Sequence, residues 1–209
     1  MHMRLKLIFL SLLLATSLSV EAQWPDSLQT FERELSTKND GITSIVAHFT
    51  QTRQVAVLAQ AASKDGTFFF RYPGDMLLAF NDGDYIKMTT EWFEMKNGVN
   101  ITTTKVSSNP ALRSLSSILS ACVVGNFEQI IKGFSINTTQ TDNEWIATLT
   151  PQRGKAAAKI SHIVIHFDKV DMSLNTLKME EKSGDYTTYR FSNKQFNVTV
   201  DSNLFNISK

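Results

Sequence analysis

After residue 41 the chain breaks into short runs of β-branched and aromatic residues with a period of two, and that rhythm leaves few folds open. The first run, 42–57, contains the alternating set Phe49, Gln51 and Arg53. It is followed by 66–72, 76–80, 85–89, 92–95 and 99–105. Turn residues separate them, as in Tyr72-Pro73-Gly74-Asp75, Asn81-Asp82-Gly83-Asp84 and Lys96-Asn97-Gly98. Further runs occupy 134–139, 145–150, 160–167, 174–181, 186–191 and 196–200. Strands spaced by roughly 10 residues, with no long linker between them, predict a mainly β domain with α insertions. Its sheet should be antiparallel, and either strongly curved or rolled into an open barrel.

Two stretches change the period to that of a helix. Over 27–38, Ser27 can cap a helix that places Leu28, Phe31 and Leu35 on one face, and Asn39-Asp40-Gly41 stops it. Over 110–123, Asn109 caps, Pro110 fills the first helical position, and Leu112, Leu115, Leu119 and Cys122 form an apolar stripe with Ile118. Gly125 closes this segment, and 127–132 is expected to add a helical turn.

The first 22 residues read as a signal for export. Arg4 and Lys6 precede an apolar stretch that ends at Val20-Glu21-Ala22, small residues of the kind a signal peptidase reads, so cleavage is expected after Ala22. A membrane-spanning helix needs roughly 20 apolar residues, and this run is shorter and carries hydroxyls. Residues 23–209 then form one domain of 187 residues, long enough to bury a real core. Without Arg4, Lys6 and Glu21, the 21 basic and 20 acidic side chains become nineteen of each. That balance argues against a nucleic-acid partner and against general attraction to anionic membranes. The lone cysteine, Cys122, excludes an internal disulfide and lies far from the cleavage site, which closes the lipid-attachment route of bacterial lipoproteins. The mature chain is expected to be soluble and extracytoplasmic.

Catalytic patterns are missing. There is no His-Glu-x-x-His, no phosphate-binding glycine loop and no Gly-x-Ser-x-Gly. His162 and His166 share a strand face but lack a third ligand, and alternation with Ile163, Ile165 and Phe167 makes them a solvent-facing row. Cys122 on an apolar stripe reads as a buried, inert thiol. Neither an enzyme nor a bound cofactor or metal is expected.

The informative pattern is apolar. Phe68, Phe70 and Tyr72 share one face of their strand, while Thr67, Phe69 and Arg71 share the other. Leu78 and Phe80 alternate with Leu77 and Ala79, and Ile86 and Met88 alternate with Tyr85 and Lys87. Strands with large apolar groups on both faces are covered on both sides or line a cavity. Alternation alone does not separate a barrel filled by side chains from one that holds a hydrophobic ligand.

Several of these segments, in this order, resemble the outer-membrane lipoprotein carrier family, the LolA-type periplasmic chaperones. They are Ile45-Val46-Ala47-His48-Phe49-Thr50-Gln51, Gly66-Thr67-Phe68-Phe69-Phe70-Arg71-Tyr72-Pro73, Trp92-Phe93, Ala147-Thr148-Leu149-Thr150-Pro151, and Thr187-Thr188-Tyr189-Arg190-Phe191 followed by Phe205. The resemblance implies an unclosed barrel of about eleven strands, with a helical lid over a hydrophobic cavity. The lid would be the 110–123 helix, carrying Leu115 and Leu119. The cavity would be lined by Phe68, Phe70, Tyr72, Met76, Leu78, Phe80, Ile86 and Met88. It further implies a monomeric, non-enzymatic carrier of acylated lipoproteins. Such a carrier is loaded by an inner-membrane ATP-driven releasing complex and unloads to an outer-membrane acceptor or to the membrane itself. One position departs from the family. Its arginine before the strand-ending proline, which latches the lid, is replaced here by Tyr72, and a phenol offers neither a charge nor five donors. That departure keeps a second use open: a barrel that binds another amphiphile or senses mislocalised lipoproteins.

Overall fold

In a computed structural model the structure describes residues 26–208 except 59, 109, 126, 128, 129, 131 and 132; side chains at 110–112, 114, 115, 124, 155 and 156 are also outside the description. The expected signal segment, the Asn109 cap and most of the expected turn at 127–132 therefore lie outside the described residues. The chain opens with helix α1 (Asp26–Asn39) and then runs through β1 (Ser44–Gln54), β2 (Ala62–Arg71), β3 (Asp75–Phe80), β4 (Tyr85–Met88), β5 (Trp92–Asn97) and β6 (Asn100–Lys105). Helix α2 (Pro110–Val124) interrupts the strands, which resume as β7 (Phe134–Gln140) and β8 (Glu144–Pro151). A short helix, α3 (Gly154–Lys159), precedes β9 (Ile160–Asp168), β10 (Leu174–Glu181) and β11 (Tyr186–Phe196).

All eleven strands form one antiparallel sheet in the order β6-β5-β4-β3-β2-β1-β11-β10-β9-β8-β7. Every neighbour pair is consecutive in sequence except β1 with β11, which joins the two halves. The sheet curves without closing, so β6 and β7 remain its edges. Irregular register between Val46 and His48 marks a bulge against β11, where Asn193 has φ 53°. A bulge bends the strand and adds twist, which helps wrap the sheet around the helices.

Sequence and structure differ at three places. β2 begins at Ala62 and ends at Arg71, so Tyr72 falls outside the strand. The two expected strands 186–191 and 196–200 are one strand to Phe196, because the bulge keeps it paired with β1 past Asn193. The Ala-rich residues 154–159, between two expected strands, form the short helix α3.

Helix α1 buries Leu28, Phe31 and Leu35, the stripe the spacing predicts. Phe31 sits among Phe127, Trp145 and Phe167 with ring centroids 5.5, 5.6 and 5.2 Å away. Trp145 Nε1 donates to Glu34 Oε2 at 2.8 Å, which satisfies the one polar atom of the indole. Helix α2 adds Ile118, Ala121 and Cys122 to this core under β7–β10. A second core lies under β1–β3, and Leu119 of α2 packs against both. At the end of α2, Gly125 has φ +80° and its N–H donates to Ala121 O at 2.8 Å, an αL cap. A Cβ there would meet Ser36 Cα at 2.7 Å, so glycine also lets the end of α2 rest on α1.

Candidate functional site: an apolar cavity under the lid helix

The concave face of the first half-sheet is built by cross-strand rows. Phe68 stands opposite Leu78, and Leu78 opposite Ile86; Phe70 stands opposite Met76, and Met76 opposite Met88. Alternation puts these large apolar residues on one face, where α2 covers them. Between sheet and helix lies a cavity of about 70 Å³ lined by Phe68, Met76, Leu78, Ile86, Met88, Leu119, Leu177, Tyr189 and Phe191. Six of the residues the sequence pointed to therefore meet in one place: five from β2–β4 and Leu119 from the lid.

The other four are placed differently. Phe70 is wholly buried in the second core. Phe80 packs edge-on against Phe49, with centroids 5.2 Å apart, and lines a separate depression at the end of the barrel. Tyr72 is 57% exposed and borders a surface depression with Ser36, Asn39 and Thr43 at the end of α1, away from the cavity. The strand ends before it, so alternation no longer sets its direction. Leu115 has a side chain outside the described residues. Arg71, which alternation sends to the outer face, is found there, paired with Asp75 (Nη2 to Oδ2, 2.6 Å) and lying 4.7 Å over the ring of Phe205.

Leu177, Tyr189 and Phe191 were not anticipated. Their strands were legible, but their place opposite Phe68 follows from the β1–β11 pairing. Tyr189 is opposite Gln51 and Phe191 is opposite Phe49 in that ladder. Gln51 Nε2 donates to Tyr189 Oη at 2.7 Å. Burial pushes the Tyr189 phenol above its ordinary value, against that hydrogen bond and the charge of Arg53. Tyr189 and Ile86 also line the depression at the strand ends, about 420 Å³, which carries Arg53, Lys64, Asp84, Lys96 and Glu181. Ile86 and Tyr189 thus stand between a charged depression and an apolar cavity.

The side chains that line this cavity are apolar apart from the Tyr189 hydroxyl. Burial pushes the Cys122 thiol up to about 12, so it is not a nucleophilic thiolate at neutral pH. His162 Nε2 lies 2.9 Å from Glu180 Oε2, and His166 Nδ1 lies 2.9 Å from Glu144 Oε2, both on the outer face as alternation placed them. Among the described residues no three His, Cys, Asp or Glu side chains gather as a metal-binding set. Among them, too, no helix is long and apolar enough to cross a membrane. What the site offers is enclosed apolar surface under a helix.

The sequence profile of the outer membrane lipoprotein carrier protein LolA matches residues 40–208. None of the curated proteins matches. Among solved structures, a LolA superfamily protein from Nitrosomonas europaea is 9% identical, with TM-score 0.46, over 88% of this chain and 99% of that one. A DUF1329 family protein from Desulfovibrio piger is 10% identical, with TM-score 0.49, over 87% and 98%. An outer membrane lipoprotein-sorting protein domain from Vibrio parahaemolyticus is 13% identical, with TM-score 0.47, over 86% and 96%. With the profile spanning all eleven strands and the lid helix, the chain belongs to the LolA family of outer membrane lipoprotein carrier proteins.

Proposed function

We propose that residues 23–209 form a monomeric periplasmic carrier that hides the acyl chains of lipoproteins between its sheet and α2. On this reading residues 1–22 direct export, an inner-membrane ATP-driven complex loads the carrier, and an outer-membrane acceptor or the membrane receives the cargo. The observation that carries the reading is the enclosed apolar cavity whose roof is the lid helix. Each buried methylene is worth about 0.8 kcal/mol, so a 16-carbon chain left in water costs on the order of 10 kcal/mol. A carrier supplies that burial and must also give the chain up. A lid whose packing is lost on loading offsets part of the burial gain, and so keeps binding reversible. No catalytic step is required.

The exposed Tyr72 supports a second reading. With no arginine latch at that position, the barrel serves another amphiphile or reports mislocalised lipoproteins. Periplasmic expression, purification without detergent and native mass spectrometry separate the two, together with release of a labelled lipoprotein from spheroplasts. One-to-one complexes with acylated lipoprotein are expected. Another amphiphile in the cavity, with no lipoprotein release, would overturn the carrier reading in favour of the second.

A further inference from the structure

The turn between β1 and β2 is apolar where a surface turn is usually polar. Residues 55–61 read Val-Ala-Val-Leu-Ala-Gln-Ala and carry no charge. Val57 is 89% exposed and Leu58 57%, so two adjacent large apolar side chains stand in water at the tip of the hairpin. Isolated apolar residues are ordinary on a surface, whereas an apolar run marks a contact site.

The backbone of this tip is prepared for a place without water. Leu58 N–H donates to Val55 O at 2.8 Å. The Gln54 side-chain amide donates to Val55 O at 3.0 Å and to Leu58 O at 2.7 Å. Ala56 N–H donates to Asp185 Oδ1 in the β10–β11 turn at 2.8 Å. In hydrocarbon no water can bond a free N–H or C=O, so a loop that enters it must satisfy these groups internally. Polar groups already bonded within the loop also offer a protein partner little to read, and the shape left is a narrow apolar point. Charge does not supply the attraction, because Lys64 beside the loop is paired with Asp82 and Asp84, each at 2.7 Å.

Position adds a reason for the tip. Arg53 and Ala62, paired opposite each other where the ladder ends, line the depression of about 420 Å³. Asn97 lines it from β5, and the exposed Val99 follows in the β5–β6 turn. Val57, Leu58 and Val99 therefore belong to the same end of the barrel as this depression. We infer that this end docks on a lipid bilayer, with Val57 and Leu58 inserted at the boundary between headgroups and acyl chains. The inference names the surface by which the proposed carrier meets a membrane, and rests on that reading only for the use of the contact.

The cargo-free protein, purified from the periplasm and floated with phosphatidylcholine vesicles, tests it. Binding is expected, and it should not weaken with added salt, since apolar area drives it. Leu58→Asp is expected to lower the partition about tenfold or more, by losing burial and adding a charge. Val170, also exposed, lies in the β9–β10 turn at the opposite end of the strands, so Val170→Asp should change nothing. Leu58→Trp should show quenching by brominated lipid beyond that of the unaltered protein. No vesicle binding, binding lost in salt, or equal losses from Leu58→Asp and Val170→Asp would each overturn the bilayer contact. None of these outcomes bears on whether acyl chains enter the lid cavity, which the native complexes with lipoprotein decide separately.

Discussion

Gly66 has no side chain because the place for one is taken. A Cβ there would lie 2.2 Å from Ala79 O and 2.7 Å from the ring of Phe49. Replacing a strand glycine by alanine usually gains up to about 1 kcal/mol by restricting the unfolded chain. Forcing a methyl into backbone oxygen and a wholly buried ring costs about 1–3 kcal/mol, so the clash wins. Gly66→Ala is expected to lower the urea midpoint; a rise would show that β3 yields at Ala79. Glu94 is a second residue with a measurable consequence. It is 0% exposed on the outer face, where Oε1 accepts from Tyr85 Oη at 2.8 Å and Oε2 from Ser208 N at 2.7 Å, with Lys87 Nζ 3.4 Å away. Burial alone would raise its pKa, but Tyr85, the Ser208 N–H and Lys87 outweigh it and hold the carboxyl below its usual 4.5. A folded value below the unfolded one means that the stabilisation is present above pH 4.5 and fades as pH falls through the lower folded value. Glu94→Gln should cost about 1–3 kcal/mol at pH 7. The gap between the two proteins should narrow below pH 4.5, and a gap that stays constant into acid would count against this origin.

At the scale of elements, the proposed carrier function requires α2 to move. About 10–15 Å³ suffices for one water molecule, so a 70 Å³ cavity holds a handful of small groups and not an acyl chain. The eleven strands are tied to their neighbours along their length, whereas α2 is held by side-chain packing and its cap on α1. On the carrier reading proposed above, loading opens the space beneath α2. Amide exchange in α2 should speed up when acylated cargo binds while exchange in β1 and β2 does not; unchanged protection in α2 would contradict the lid. Cys122 gives a native reporter of the same event. It lies buried on the sheet-facing side of α2 with its thiol at about 12. A thiol reagent should react slowly with the empty protein and faster with the loaded one.

Taken whole, the molecule is two runs of local pairings joined at their centre by one distant contact, and legibility in the sequence follows that division. Hairpins such as β3–β4 could be read because alternation and the Asn81-Asp82-Gly83-Asp84 turn are both local. Phe68, Leu78 and Ile86 were found for the same reason. Leu177, Tyr189 and Phe191 were not, because β1 meets β11 across a separation of 138 residues at Gln51 and Tyr189, and no local pattern encodes that register. The β1–β11 ladder runs from Ile45 opposite Phe196 to Gln54 opposite Tyr186, so the two half-sheets share a long central seam. The chain's end strengthens it, since Phe205 lies under Arg71 while Asn206 O and the Ser208 N–H are held by Lys87 and Glu94 of the first half. A sheet joined in this way should unfold as one unit. Trp92 stands on β5 in one half and Trp145 on β8 in the other, so each reports its own side. Urea transitions followed by Trp92 in a Trp24→Phe, Trp145→Phe protein and by Trp145 in a Trp24→Phe, Trp92→Phe protein should each coincide with the circular-dichroism transition of the same protein. If the two signals within one protein separate, the halves melt independently and the seam is weaker than its length implies.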